Sequence, residues 1–317
     1  MSLLASVADC LNVWSYEEDQ FTAKSCFTSS KETFHAVAWN HTNQVVAIGG
    51  SDSKIDLIQA NNGYLLQSLS VSETYDPGRI IKSIAFSSNS RFLATGVRDV
   101  VQLWDLKKRQ CKLSLRSGNN AVINTISFLP NGDLLSGDQF GRFLCWDPQN
   151  SSEDGPAIFH EFSAGDTSIP SSEIYAMHVS PTNSNNVATG YVSGHMCTWD
   201  VERLTMQRRQ RCHNGALTSL SYSPKNGRLV TACGTDGRVV LVDTSTKSST
   251  YHDISAVIDI PGKQLTGLSF HENAIHVAVA TDDGQLLMYD WRSVIQPVAI
   301  LQAHKNYRVN AVAFQVC

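Results

Sequence analysis

A chain of 317 residues with a net charge of −4 and only 17% charged residues, against roughly 25% in an average soluble protein, offers no electrostatic case for bulk attraction to nucleic acid or to a membrane surface. No apolar run approaches the roughly 18 residues that a membrane helix needs, and the stretch 3–8 is too short, and lacks the basic start, for a secretory signal. The eight cysteines include no C-x-x-C pair, and Cys145, Cys197 and Cys233 fall inside strand patterns, so they read as buried free thiols of a soluble chain in a reducing, intracellular compartment.

The chain opens with Leu3-Leu4-Ala5-Ser6-Val7-Ala8-Asp9-Cys10-Leu11-Asn12-Val13-Trp14, which reads as two strands and a turn running to a tryptophan. An alternating strand ending in an aromatic residue or its substitute, usually followed by an acid, then recurs. It stands at Val13-Trp14, Leu57-Ile58, Leu103-Trp104-Asp105, Cys145-Trp146-Asp147, Thr198-Trp199-Asp200, Val242-Asp243 and Tyr289-Asp290. From Trp14 the steps are 44, 46, 42, 53, 43 and 47 residues, a near-constant period. A second series of strands ends at Trp39, Phe86, Phe128, Val179, Tyr222, Phe270 and Phe314, with the same count and phase. Between the two series lies a third strand running into a Gly- or Asp-containing turn, as at 45–49, 92–96, 187–190 and 229–233. The chain closes on Ala303-His304-Lys305-Asn306-Tyr307-Arg308 and one strand, 309–314, with nothing after it to pair with.

A period of about 40–50 residues with four short strands per unit is the pattern of a propeller blade. Neither end of the chain is a complete unit, and an open row of units would leave unpaired strand edges at both ends. The predicted architecture is therefore all-β: a single seven-bladed β-propeller over residues 1–317. Residues 1–30 and 304–317 form its closing blade, with three strands from the N-terminus and one, the innermost, from the C-terminus.

Departures from the even period mark the individual features. The stretch 148–172, rich in Ser, Gly, Asp and Pro, accounts for the 53-residue step and is expected to hold an outer strand at 157–163. The loop 70–78 carries Glu73, Tyr75 and Asp76 before Pro77-Gly78, and Asn150-Ser151-Ser152 matches a glycosylation acceptor by spelling only. Both insertions read first as tolerated surface loops, although loops on a rigid scaffold often carry binding. Two basic clusters are candidate contacts for an acidic protein partner: Lys107, Lys108 and Arg109 in a rim turn, and Arg208, Arg209 and Arg211 on an outer strand. The plainer reading makes the first a solvated turn and the second a strand edge protected by charge. No aromatic residues interleave with these cations, so nucleic acid is not indicated. No P-loop, G-x-S-x-G, H-E-x-x-H or paired metal-ligand spacing is present, and Asp282-Asp283-Gly284 reads as a blade turn. The expectation is a non-enzymatic chain without cofactor or metal.

The Trp-Asp dipeptides at Trp104-Asp105, Trp146-Asp147 and Trp199-Asp200 resemble the WD-repeat family, with degenerate copies elsewhere along essentially the whole chain. In that family a His before the innermost strand, a Ser or Thr on the second, an Asp in the next turn and the Trp form a structural hydrogen-bonded set. The matching residues are His304, Ser6, Asp9 and Trp14, which span the seam, although Asp9 stands one residue closer to the Trp than is usual. His213, Thr231 and Asp236 form a second candidate, ending at Val242, which cannot donate. The order of Val101-Gln102-Leu103-Trp104-Asp105-Leu106-Lys107, Val242-Asp243-Thr244-Ser245-Thr246-Lys247 and the run from Leu287-Met288-Tyr289-Asp290-Trp291-Arg292 to Phe314-Gln315 is similar to the γ-tubulin ring complex targeting factor family of centrosomal WD-repeat proteins. That resemblance implies a scaffold that docks a microtubule-nucleation factor at the centrosome, centriole or spindle, with augmin or other spindle components as partners. It also implies that contact with the γ-tubulin complex belongs to a C-terminal helical region that this sequence does not contain. Tyr289-Asp290-Trp291-Arg292 resembles instead the W-D-x-R box of cullin–RING ligase substrate receptors, with Tyr in place of the first Trp, which makes Arg292 a candidate adaptor contact.

Overall fold

A computed structural model of the chain describes residues 2–29, 33–71, 80–118, 120–150, 158–162, 172–245 and 254–315. Among these residues there is no helix, and the strands form seven four-stranded antiparallel sheets. In each sheet the strands follow one another outward from the ring axis. Blade 1 comprises Phe34–Trp39, Val45–Gly50, Lys54–Gln59 and Leu65–Ser70. Blade 2 comprises Ile81–Phe86, Phe92–Val97, Val100–Asp105 and Gln110–Arg116. Blade 3 comprises Ile123–Phe128, Leu134–Asp138, Phe143–Trp146 and Ile158–Phe162, and blade 4 Ile174–Val179, Asn186–Tyr191, His195–Asp200 and Thr205–Arg211. Blade 5 comprises Leu217–Tyr222, Leu229–Gly234, Arg238–Asp243 and Ile254–Asp259, and blade 6 Leu265–Phe270, His276–Thr281, Gln285–Asp290 and Ala299–Gln302. Blade 7 joins Ala311–Phe314 to Ser2–Val7, Cys10–Glu17 and Gln20–Thr28.

The ring closes as the repeat pattern requires. Each innermost strand packs against the next, and Ala311–Phe314 returns to Phe34–Trp39 of blade 1. Within the closing blade Ala311–Phe314 pairs with Ser2–Val7 in the register Leu4↔Phe314 to Val7↔Ala311. The strand begins two residues later than the expected 309–314, and the outer strand of blade 3 occupies 158–162 of the expected 157–163. Residues 151 and 152 of the acceptor triplet, most of the loop 70–78, and Thr246 and Lys247 lie outside the described residues.

The sequence dictates the packing between blades through one buried anchor in every unit and, in four units, a glycine that faces it. Just before or at the start of each innermost strand stands a fully buried apolar side chain: Phe34, Ile81, Ile123, Ile174, Leu217, Leu265 and Val309. Opposite four of them the second strand of the preceding blade offers a glycine. A Cβ on Gly137 would come within 2.4 Å of Ile174 Cγ2, and one on Gly190 within 2.2 Å of Leu217 Cδ2. Gly49 and Gly96 face Ile81 and Ile123 in the same way. A hydrogen at this position lets the next blade nest, and the core is a set of such inter-blade clusters rather than one central mass.

A second regularity was not foreseen. In six blades the innermost strand is bulged directly after its first residue, as at Phe34/Ala36, Ile81/Ser83 and Ile174/Ala176. A bulge takes one residue out of the ladder and re-aims its side chain. The residues so released, His35, Lys82, Asn124, Tyr175, Thr218 and Thr266, all line one central cavity of about 450 Å³.

Candidate functional site

Two groups of residues stand out, a lock at the seam and cations on the rim. At the seam the structure brings His304, Ser6, Asp9 and Trp14 together. Trp14 Nε1 donates to Ser6 Oγ at 3.0 Å, and Ser6 Oγ lies 3.0 Å from His304 Nε2. His304 Nδ1 lies 3.2 Å from Asp9 Oδ1 and 3.6 Å from Cys10 Sγ. The consistent assignment has Nδ1–H donating to Asp9 and Nε2 accepting from Ser6. The short spacing from Asp9 to Trp14 is accommodated by a two-residue turn, Ala8-Asp9, between the first two strands. Burial pushes the His304 pKa below the ordinary imidazole value, and Asp9 pulls it only partly back. Burial, with Cys26 and Asp9 adding to it, pushes the Cys10 thiol up to about 12.

The ligand atoms of Asp9, Cys10 and His304 lie within 4.8 Å of one another, which is the donor set from which a metal site could be built. Their state speaks for the lock instead. Both His304 nitrogens are already committed, Nε2 to Ser6 and Nδ1 to Asp9, which is the bonding of the lock.

Three other tryptophans repeat part of the lock. Trp104 donates to Thr95 at 3.3 Å, Trp146 to Ser136 at 2.8 Å and Trp199 to Thr189 at 2.8 Å. In blade 5 the expected set is corrected. His213 Nδ1 does meet Asp236 at 2.9 Å, but Thr231 Oγ1 donates to the Ser221 carbonyl. The register Ala232↔Val240 matches Thr189↔Cys197 of blade 4, so Ala232 occupies the hydroxyl position and Thr231 points to the other face. His213 Nε2 is left buried without a partner.

Lys107, Lys108 and Arg109 lie exposed in the turn between Val100–Asp105 and Gln110–Arg116. Asp105 shapes that turn by accepting the backbone N–H groups of Lys107 at 3.0 Å and Lys108 at 3.1 Å. Beside it a groove of about 380 Å³ runs between blades 1 and 2, lined by Val45, Leu57, Leu66, Phe86, Leu106 and Arg109 among others. The second basic cluster does not form one surface. Arg208 is only 9% exposed and donates to the Asp243 carbonyl at 3.0 Å and to Gln210 Oε1 at 2.8 Å, so it ties blade 4 to blade 5 rather than facing a partner. Arg209 is half-buried, and Arg211 is exposed with Nε on the His213 carbonyl at 3.3 Å. Arg292 is exposed, with its guanidinium gripped by Asp290 through Nε at 3.0 Å and Nη2 at 2.6 Å.

The bulged residues around the cavity were missed from sequence. Their signal was available: they directly follow the buried apolar anchor in unit after unit, and six of the seven equivalent positions are polar or charged without any need of the core.

The seven closed blades, the Trp-to-hydroxyl bonds and the seam lock define the class: the chain is a WD-repeat propeller. The WD domain, G-beta repeat, model matches residues 67–105, and a model described as Nucleolar protein 10-like, N-terminal domain, matches residues 203–316. Across the whole ring the chain is similar to Protein NEDD1 of Homo sapiens, at 23% identity over 318 residues, and to that of Mus musculus at the same identity. The match covers 98% of this chain but 44% of those proteins, so the chain spans less than half the length of these relatives. A shorter match, 24% identical over 184 residues, is to Methylosome protein WDR77 of Xenopus laevis, covering 57% of this chain and 52% of that protein.

Proposed function

We propose that this propeller is a non-enzymatic scaffold that docks a microtubule-nucleation factor to the centrosome, centriole or spindle, as the targeting propeller of a NEDD1-like protein. The observation that carries the reading is the similarity to Protein NEDD1 over 98% of the chain, which runs through all seven blades rather than through one repeat. The exposed turn of Lys107, Lys108 and Arg109 beside an apolar groove supports it, since a basic rim next to an apolar cleft suits an acidic amphipathic segment of a protein partner. Within this reading the seven blades act as one domain, and augmin or other spindle components are the expected partners.

Tagged chain expressed in dividing cells should concentrate at spindle poles, and affinity capture should recover spindle or centriolar proteins. Reversing the charge of Lys107, Lys108 and Arg109 together should reduce both while leaving thermal stability unchanged. A diffuse wild-type signal, with a cullin adaptor recovered in place of spindle proteins, would overturn the proposal and make Arg292 the residue to test. No structural observation favours that second reading, because Asp290 already engages the Arg292 guanidinium.

A further inference from the structure

The central cavity is built by all seven innermost strands, yet its lining is not symmetric. Several of the equivalent side chains are spent on holding the ring together. Asn124 Nδ2 donates to the Ile174 carbonyl at 3.2 Å, Thr218 Oγ1 to the Leu265 carbonyl at 2.7 Å, and Asn310 Nδ2 to the Phe34 carbonyl at 2.7 Å. Each bond runs from one blade to the start of the next. The arc through blades 6, 7, 1 and 2 is different. It presents Thr266, Arg308, His35 and Lys82 in ring order.

These four groups have donor capacity that the fold leaves unused. Thr266 is 5% exposed and lines the cavity, and its Oγ1 is buried without a hydrogen-bond partner, although the equivalent Thr218 bonds to the next blade. Lys82 gives one bond to Asn124 Oδ1 at 2.9 Å and keeps two further N–H groups. Among the described residues neither Lys82 nor Arg308 has an ion-pair partner, and both side chains are exposed at the mouth. Asn124, which accepts from Lys82 through Oδ1, donates through Nδ2 to Glu173 Oε2 at 3.5 Å. His35 lies between the two cations with its Nε2 3.3 Å from Thr33 Oγ1; with the Thr33 hydroxyl donating to Nε2, the ring keeps Nδ1–H for a ligand. Burial first, and then the charges of Lys82 and Arg308, hold its pKa below the usual value, so it enters as a neutral ring near both.

We infer that this arc of the channel mouth is a docking site for a phosphorylated serine or threonine on a partner protein segment, with Lys82 and Arg308 as the charge clamp and His35 and Thr266 as neutral donors. The chemistry selects phosphate over a carboxylate. A phosphoryl group brings close to two negative charges and three acceptor oxygens, which two cations and two neutral donors can satisfy together, whereas one carboxylate leaves a cation unmatched. Tyr175, 43% exposed on the opposite arc, offers an aromatic surface to the flanking residues of such a segment. The inference rests on the scaffold reading only in making the occupant a protein. A purified-component assay can fail while spindle localisation in cells succeeds, and the reverse.

The test uses the purified chain and three randomised nonapeptide pools centred on phosphoserine, serine and glutamate, with retention read by fluorescence polarisation. The phosphoserine pool should bind, with competition by inorganic phosphate, and the Lys82→Gln/Arg308→Gln double variant should bind it at least tenfold more weakly with an unchanged melting temperature. Thr266→Val should weaken binding about threefold while leaving the fold as stable as before or more so, since the hydroxyl it removes has no internal partner. Equal retention of the serine pool, absence of binding by any pool, or undiminished binding by the double variant would overturn the site. Equal retention of the glutamate pool would overturn its assignment to phosphate.

Discussion

Ser6 is the residue on which the seam turns, because a single hydroxyl serves both Trp14 and His304 across 298 positions of chain. Ser6→Ala leaves the imidazole nitrogen of buried His304 and the indole N–H of half-buried Trp14 without their partner, so it should cost about 1–3 kcal/mol. Ser136→Ala, which frees Trp146 alone, should cost less. Urea midpoints of the two variants decide it, and equal losses would mean that His304 contributes nothing. The same histidine sets a pH dependence. Its folded pKa lies below the unfolded value of roughly 6.5, so the unfolded chain binds more protons in the window between them, and stability rises with pH there. Stability should therefore fall as pH drops below about 6.5, and His304→Gln should flatten that part of the profile. A slope unchanged by the substitution would trace the acid loss to other groups. The sequence pattern was enough to place these four side chains together, because a strand series fixes which residues share a face. It misled at Thr231, where reading the hydroxyl one residue early moved it to the opposite face, a slip that only the pairing of Ala232 with Val240 reveals.

Among the elements, the strand ends were the most legible part of the molecule. All seven innermost strands end at the residue where the aromatic or apolar series predicted, from Trp39 to Phe314. Period-two alternation over six residues leaves little freedom once the turn residues bound it. The bulges were not legible, since one extra residue at a strand start disturbs the alternation no more than a loop would. Arg208 was misplaced for a related reason. On the strand Thr205–Arg211 the buried positions are Arg208 and Gln210, so the alternation points them inward, and the charge alone had argued for solvent. What permits an arginine there is a carbonyl of the neighbouring blade, Asp243, which no pattern within one strand contains. The inter-blade glycines carry a sharper consequence. Gly190→Ala or Gly137→Ala places a methyl group against a side chain that is itself packed on all sides, and overpacking of this kind costs about 1–3 kcal/mol. Gly267→Ala, where the nearest atom is Val312 Cγ1 at 3.1 Å, should be milder. Thermal melts of the three variants order the effects, and a Gly190→Ala protein as stable as the parent would show that Leu217 can yield without cost.

At the scale of the whole molecule, the ring depends on a strand of four residues. Ala311–Phe314 supplies the ladder partner of Ser2–Val7, and its flanks reach both neighbouring blades. Trp39 Nε1 donates to the Ala313 carbonyl at 2.8 Å, the Phe314 N–H to Ser269 Oγ at 3.0 Å, and Asn310 to the Phe34 carbonyl at 2.7 Å. Val309 and Phe314 are buried among residues of blades 6 and 7. Deleting residues 309–315 removes little surface compared with the ring as a whole, yet it uncovers the hydrogen-bonding edge of Ser2–Val7 and the apolar flanks of blades 1 and 6 at once. An exposed apolar edge strand recruits a strand from another molecule. The shortened chain should therefore elute as oligomers in size-exclusion chromatography and melt at lower temperature, while the Lys82→Gln/Arg308→Gln variant stays monomeric. Adding back the deleted strand as a separate peptide should restore the monomer if the lesion is the open edge alone. A shortened chain that remained monomeric and melted like the parent would mean that the other six blades hold the ring shape without closure, and that the seam lock of His304, Ser6, Asp9 and Trp14 is an ornament of the fold rather than its clasp.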